Sequence, residues 1–146
     1  MATEKERKFL LKEVPYLRNK GVSIKQGYLM FDGSKHLRVR IYDNTIGEIT
    51  FKNVHNHTER SEYEYEIPLE DAIELMASTK MIVEKTRFKL LHDGNKVDID
   101  IYSNGIQVVE IEYEDALETI PSYCGEEVTG VEKYSNIYMA KQNAIS

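Results

Sequence analysis

Through most of this chain, apolar and charged residues alternate at period two, and the charged side of each stretch carries mainly one sign. Residues two apart in an extended strand point to the same face. Leu37, Val39 and Ile41 therefore oppose His36, Arg38 and Arg40, while Val97, Ile99 and Ile101 oppose Asp98 and Asp100. Val109, Ile111 and Tyr113 oppose Glu110 and Glu112, and Lys85, Arg87 and Lys89 share a face. The pattern predicts strands over 3–11, 24–31, 36–42, 46–53, 60–67, 81–91, 96–102 and 107–114. Turn chemistry at Asp32-Gly33-Ser34, Asp43-Asn44, Asp93-Gly94-Asn95 and Ser103-Asn104-Gly105 makes consecutive strands antiparallel hairpins. Helices are fewer. Pro68–Met76 opens with Pro and first-turn acids, and Tyr113–Ile120 and Ser135–Asn143 are weaker candidates. The expected class is mainly β with a few helices, as a barrel or strongly curved sheet.

An antiparallel sheet with one wet face would explain simple alternation. Here the signs are segregated strand by strand, whereas a face built only for solubility intersperses them. Closing the sheet with its charged faces inward puts a basic wall and an acidic wall around one lumen. Such a lumen is costly to desolvate, so it should hold water, metal ions and a polyanion. The opening strand fits this reading. Glu4, Glu6 and Lys8 share a face, with the carboxylates about 7 Å apart along the backbone, near enough to close on one hard cation. The ammonium one step on could meet an anion held by that cation.

The 146 residues suit one domain spanning 1–146, long enough to bury a core without cross-links. A net charge of −6 argues against bulk nucleic acid as a partner. It leaves room for a local basic site that favours small, metal-complexed anions. The lone Cys124 permits no intrachain disulfide, fits a reducing cytoplasm and reads as structural. No apolar run approaches membrane-spanning length, and the charged N-terminus does not read as a signal peptide. The four His show no zinc-ligand pattern, and His55-Asn56-His57 reads as a loop. There is no Walker loop, Ser-His-Asp or Cys-His arrangement.

Several segments resemble, in order, the CYTH superfamily, or triphosphate tunnel metalloenzymes. Glu4-Lys5-Glu6-Arg7-Lys8 is similar to its ExExK signature, Leu37-Arg38-Val39-Arg40 to its RVR strand, and Thr50-Phe51-Lys52 to its T-[IF]-K strand. Arg60-Ser61-Glu62-Tyr63-Glu64-Tyr65 resembles its R-x-E-[YF]-E-Y segment. Lys85-Thr86-Arg87, Asp98–Tyr102, Val109–Glu112, Glu127–Thr129 and Tyr134–Asn136 resemble its later strands and C-terminal segment. The resemblance implies an eight-stranded antiparallel β-barrel tunnel, with Lys8, Arg38, Arg40, Lys52, Arg60, Lys85, Arg87 and Lys133 as triphosphate ligands. It implies Glu4, Glu6, Asp100, Glu110 and Glu112 as ligands for one or two Mg²⁺ or Mn²⁺. Glu62, Glu64 and Asp98 either join the metal set or orient the basic residues by ion pairing. The implied activity is metal-dependent hydrolysis of a triphosphate, with water attacking the terminal phosphate and Tyr28 and Lys52 positioning the water or the leaving group. Inorganic tripolyphosphate is favoured over a nucleoside triphosphate. The alternatives are a class IV-type adenylate cyclase and a non-catalytic triphosphate-binding module. Exposed apolar and Tyr-rich strand faces allow a homodimer.

Overall fold

The computed structural model describes residues 2–56 and 58–145, with side chains from Lys5 onward. His57 and the Glu4 side chain therefore lie outside the described residues; His55 and Asn56 are in a loop, as expected. Each predicted strand forms: β1 (Ala2–Leu11), β2 (Val22–Asp32), β3 (Lys35–Tyr42), β4 (Ile46–Val54), β5 (Glu59–Ile67), β6 (Ile82–His92), β7 (Asn95–Tyr102) and β8 (Gln107–Tyr113). Positive φ at Asp43, Asn44, Asp93 and Gly94 gives tight hairpin turns whose twist matches the strands they join.

The strands pair in the order β5-β4-β3-β2-β6-β7-β8-β1, and a β5–β1 pairing closes the ring. A ninth strand, β9 (Cys124–Glu127), was not expected from the sequence: four residues including Gly125 are too few to show a period. Phe9 pairs with both Val109 and Glu127, and Lys5 with both Tyr113 and Glu59. A strand has two edges, so β5 and β9 share the edge of β1 that β8 does not occupy.

The barrel is inside-out relative to a packed core. Val39 and Ile41 point outward against Ala72 and Met76 of α1 (Leu69–Ala77). Phe9, Val97, Ile99, Val109 and Ile111 also point outward, under Leu17, Leu117 and Tyr123 from two long connections. One of these covers the span expected to be helical, 113–120. It is not a helix, because its charges are all acidic, so no i,i+4 ion pair supports a helix, and Pro121 ends it. Leu117 is instead used in an extended cover over the sheet.

A third apolar cluster plugs one end of the lumen. It joins Tyr28, Val83, Tyr102 and Val108 to Met139 and Ala140 of α2 (Asn136–Ile145), which follows a single 3₁₀ turn at Glu132–Tyr134. Ser135 caps α2, its Oγ accepting from the Tyr138 amide at 3.1 Å, and Asn143 Nδ2 donates to the Ile82 carbonyl at 2.8 Å.

Gly47 sits where α1 crosses β4. A Cβ there would lie 2.6 Å from Ala72 Cβ and 3.2 Å from the Ile67 carbonyl oxygen. Gly47→Val should therefore destabilise the protein by about 1–3 kcal/mol. The expected result is a lower urea midpoint with an unchanged m-value; a wild-type midpoint would mean that the helix does not bear on this strand.

Candidate functional site

The register determines which charges meet. Lys52 stands opposite Glu62, Arg40 opposite Glu48, Arg87 opposite Asp100, Lys89 opposite Asp98, and Lys8 opposite Glu110. Like charges that repel along one strand thus meet opposite charges across the ladder. Like charges do face each other at Glu48–Glu66 on β4 and β5, and in two neighbouring pairs, Glu6–Glu112 and Asp98–Glu110, on the three adjacent strands β1, β8 and β7. These three strands carry the acidic wall.

Many of these side chains line a cavity of about 1040 Å³ that opens near the β6–β7 hairpin, while Glu6, Lys8 and Asp100 stand behind that lining. Arg38, Arg40, Lys52 and Arg87 reach it from β3, β4 and β6, Asp98, Glu110 and Glu112 from β7 and β8, and β5 contributes both signs, Arg60 with Glu62 and Glu64. Most of the cations are tethered. Arg60 bridges Glu6 (2.5 Å) and Glu62 (2.6 Å), and Lys52 lies 3.8 Å from Glu62. Arg87 grips Asp100 with two hydrogen bonds of 2.8 and 2.9 Å, and Lys85 reaches the same carboxylate at 2.8 Å. Lys8 lies 3.9 Å from Glu110 and donates to the Tyr134 carbonyl at 3.0 Å.

Arg38 differs from these. It is only 2% exposed, has no ion pair among the described residues, and its Nε is buried without an acceptor. Burial lowers its pKa, and neighbouring Arg40 adds to the effect. An unpaired buried guanidinium is costly unless an anion accompanies it.

The acidic wall has the complementary gap. Glu6 Oε2 is buried without a donor. Burial, and then the nearby Glu110 carboxylate, push the Glu6 pKa up, while Glu110 is held low against burial by Lys8 and its neighbours. Crowding of two carboxylates favours a bound proton, or a cation in its place. Among the described residues no three acids yet converge on one point, because Asp100 and Glu6 are each turned toward basic partners.

Residues 2–142 match the CYTH domain family. The chain belongs to that family. It is 36% identical to the inorganic triphosphatase of Acetivibrio thermocellus across 97% of this chain and 95% of the relative. It is 34% identical to the inorganic triphosphatase of Nitrosomonas europaea, covering 94% and 97%. The crystal structure of the inorganic triphosphatase NE1496 superposes with a TM-score of 0.69 at 34% identity, covering 96% and 95% of the two chains.

Not every residue predicted for a CYTH site lines the cavity: Glu6, Lys8, Lys85 and Asp100 act on it through ion pairs with one another and with Arg60, Arg87 and Glu110. Lys133 is exposed, with its ammonium over the Tyr134 ring at 5.1 Å. Tyr28 is buried in the plug, and among the described residues no hydrogen bond joins it to Lys52. Its hydroxyl instead accepts from Gln26 Nε2 at 2.7 Å, and Gln26 Oε1 accepts from Arg40 Nε at 2.5 Å. The sequence assigned Gln26 no role in the site. Nor did it assign one to Asn136, whose Oδ1 accepts from Tyr102 (2.5 Å) and Lys85 (3.1 Å) and ties α2 to the cavity floor. A lone amide on an otherwise apolar strand face was the available signal for Gln26; for Asn136 it was its place at a helix start in the resembling C-terminal segment.

Burial lowers Lys52 to about 8, helped by Arg60 and Arg38, and lowers Lys85 to about 7. A polyanion beside them favours the charged forms and raises both values. Tripolyphosphate binding without metal should therefore take up protons between roughly pH 7 and 9 and weaken as pH rises. Calorimetry in buffers of different ionisation enthalpy measures this uptake; proton release in that window would contradict the assignment.

Proposed function

We propose that this protein hydrolyses a triphosphate, inorganic tripolyphosphate in preference to nucleoside triphosphates, inside the charged barrel. The observation that carries the reading is Arg38, a guanidinium buried without a counter-ion at the centre of a lumen lined by further cations. The triphosphatase names of two relatives at 34% and 36% identity support it.

Arg38 and Arg40 would bind phosphate oxygens through their planar forks, with Arg60, Arg87, Lys8 and Lys85 completing the basic cradle. Gln26 and Tyr28 would fix the angle of Arg40. Lys52 projects into the cavity with a lowered pKa, suited to holding a proton near the terminal phosphate and orienting the attacking water. Glu6, Glu110 and Glu112, with Glu4, would hold a divalent cation. Asp100, already saturated by Lys85 and Arg87, would orient those two cations, as Glu62 does for Arg60 and Lys52 and Asp98 for Arg87. Mg²⁺ or Mn²⁺ at the acidic wall would neutralise phosphate oxygens and acidify water.

Product analysis by ³¹P NMR tests the reading. Tripolyphosphate should yield orthophosphate and pyrophosphate, and EDTA should abolish the reaction. Cyclic AMP and pyrophosphate from ATP would mark a cyclase, and binding without turnover a sequestering protein. Arg38→Ala should lower kcat/KM by roughly 30-fold or more, corresponding to about 2–5 kcal/mol for a lost buried charge contact. Glu6→Gln should leave the fold intact and remove metal-supported turnover; full activity would exclude Glu6 from the cation site.

A further inference from the structure

Two buried polar atoms without partners stand on one rung of the barrel. Besides Arg38 Nε, the Thr50 hydroxyl has no hydrogen bond among the described residues, although Thr50 is only 1% exposed. The register puts the two side by side: Tyr28, Arg38, Thr50 and Glu64 follow one another across β2, β3, β4 and β5. Along its own strand, Thr50 shares the inward face with Glu48 and Lys52. Glu48, Lys52, Arg38 and Glu64 all line the cavity, and Thr50 does not. Its hydroxyl therefore lies at the base of a well with a charged side chain on every side.

A threonine on a strand needs little explanation, because β-branched residues suit the pleat. The hydroxyl does need one, since valine would fill the same place without burying an unsatisfied polar atom. Among the neighbours of Thr50, the buried donor without an acceptor is Arg38 Nε, and a hydroxyl oxygen is an acceptor. Directly opposite residues have Cβ atoms about 4.5–5.5 Å apart, so a rotation of the arginine side chain brings Nε to the hydroxyl. A bound polyanion supplies the reason to rotate. Phosphate oxygens gripped by the two terminal nitrogens of a guanidinium leave Nε facing back toward the wall.

We propose that Thr50 is a positioning residue for Arg38: with a triphosphate in the lumen, the Thr50 hydroxyl accepts from Arg38 Nε and so aims the terminal nitrogens at the phosphate. The inference rests on the triphosphatase reading and deepens it, because it makes the hold on the substrate depend on a side chain that does not line the cavity. It also separates binding from folding. The hydroxyl is unpartnered in the free protein, so folding does not need it, and only the liganded state uses it.

The test compares wild type with Thr50→Val and Thr50→Ser, each alone and in an Arg38→Lys background. Inorganic tripolyphosphate is the probe, followed by metal-free binding in calorimetry and by turnover with metal. Thr50→Val should weaken binding and lower kcat/KM by roughly tenfold, the size of a lost hydrogen bond to a charged group. Its urea midpoint should equal or exceed that of wild type, since an unsatisfied hydroxyl has been removed. Thr50→Ser keeps the hydroxyl and should stay within about twofold of wild type. Lysine has no Nε–H, so adding Thr50→Val to Arg38→Lys should cost less than about twofold more. Wild-type binding and turnover in Thr50→Val, an equal loss in the Arg38→Lys background, or a lowered urea midpoint would each overturn the assignment while leaving the triphosphatase reading in place. Wild type that neither binds nor cleaves tripolyphosphate would sink the underlying reading instead.

Discussion

The structure depends on one inversion: the sheet turns its apolar side outward and its charges inward. An apolar outer face cannot be left to water, so α1 and two long connections cover it. A charged interior cannot be left dry, so acids and bases are matched across the ladder rather than along each strand. The external cover and the internal matching are both required, and losing either would favour an open sheet with the usual wet face.

Matching charges inside a barrel leaves them close to neutral in sum but poised in detail. A buried ion pair contributes little net stability, because desolvation offsets most of the attraction. What it supplies is orientation: Asp100 holds Lys85 and Arg87 together, and Glu62 holds Arg60 beside Lys52. An incoming polyanion can therefore exchange partners with side chains that are already placed. Arg38 Nε and Glu6 Oε2 are buried without partners among the described residues, one short of an anion and the other of a cation.

Most of this was legible in the sequence, because period-two alternation specifies both the strands and the face each side chain takes. The sign of each face announced a two-walled lumen, and Arg38, Arg40, Arg87, Glu110 and Glu112 fell where the alternation put them. What could not be read was tertiary. β9 is too short to show a period, and 113–120 carries helix-like apolar spacing that a neighbouring sheet draws into an extended cover. The role of Asn136 arises only when α2 folds back onto the floor, and Lys133, one turn earlier on the same segment, is left outside. The pairing of Asp100 with two cations likewise depends on register, which alternation does not supply.

The ring closes through β1 and β5 along only four cross-strand pairs, Ala2 to Lys5 against Glu62 to Glu59. That is the shortest pairing in the circle, and β9 occupies the rest of the edge. The barrel therefore behaves as a clasped band rather than a welded hoop. Its clasp carries Glu6 on one side and Arg60 and Glu62 on the other, so a ligand gripped by both sides fastens the band from within. The shortest pairing in the ring thus lies beside the Arg60–Glu6 ion pair, so whatever disturbs that ion pair from inside the lumen also bears on how tightly the perimeter is drawn.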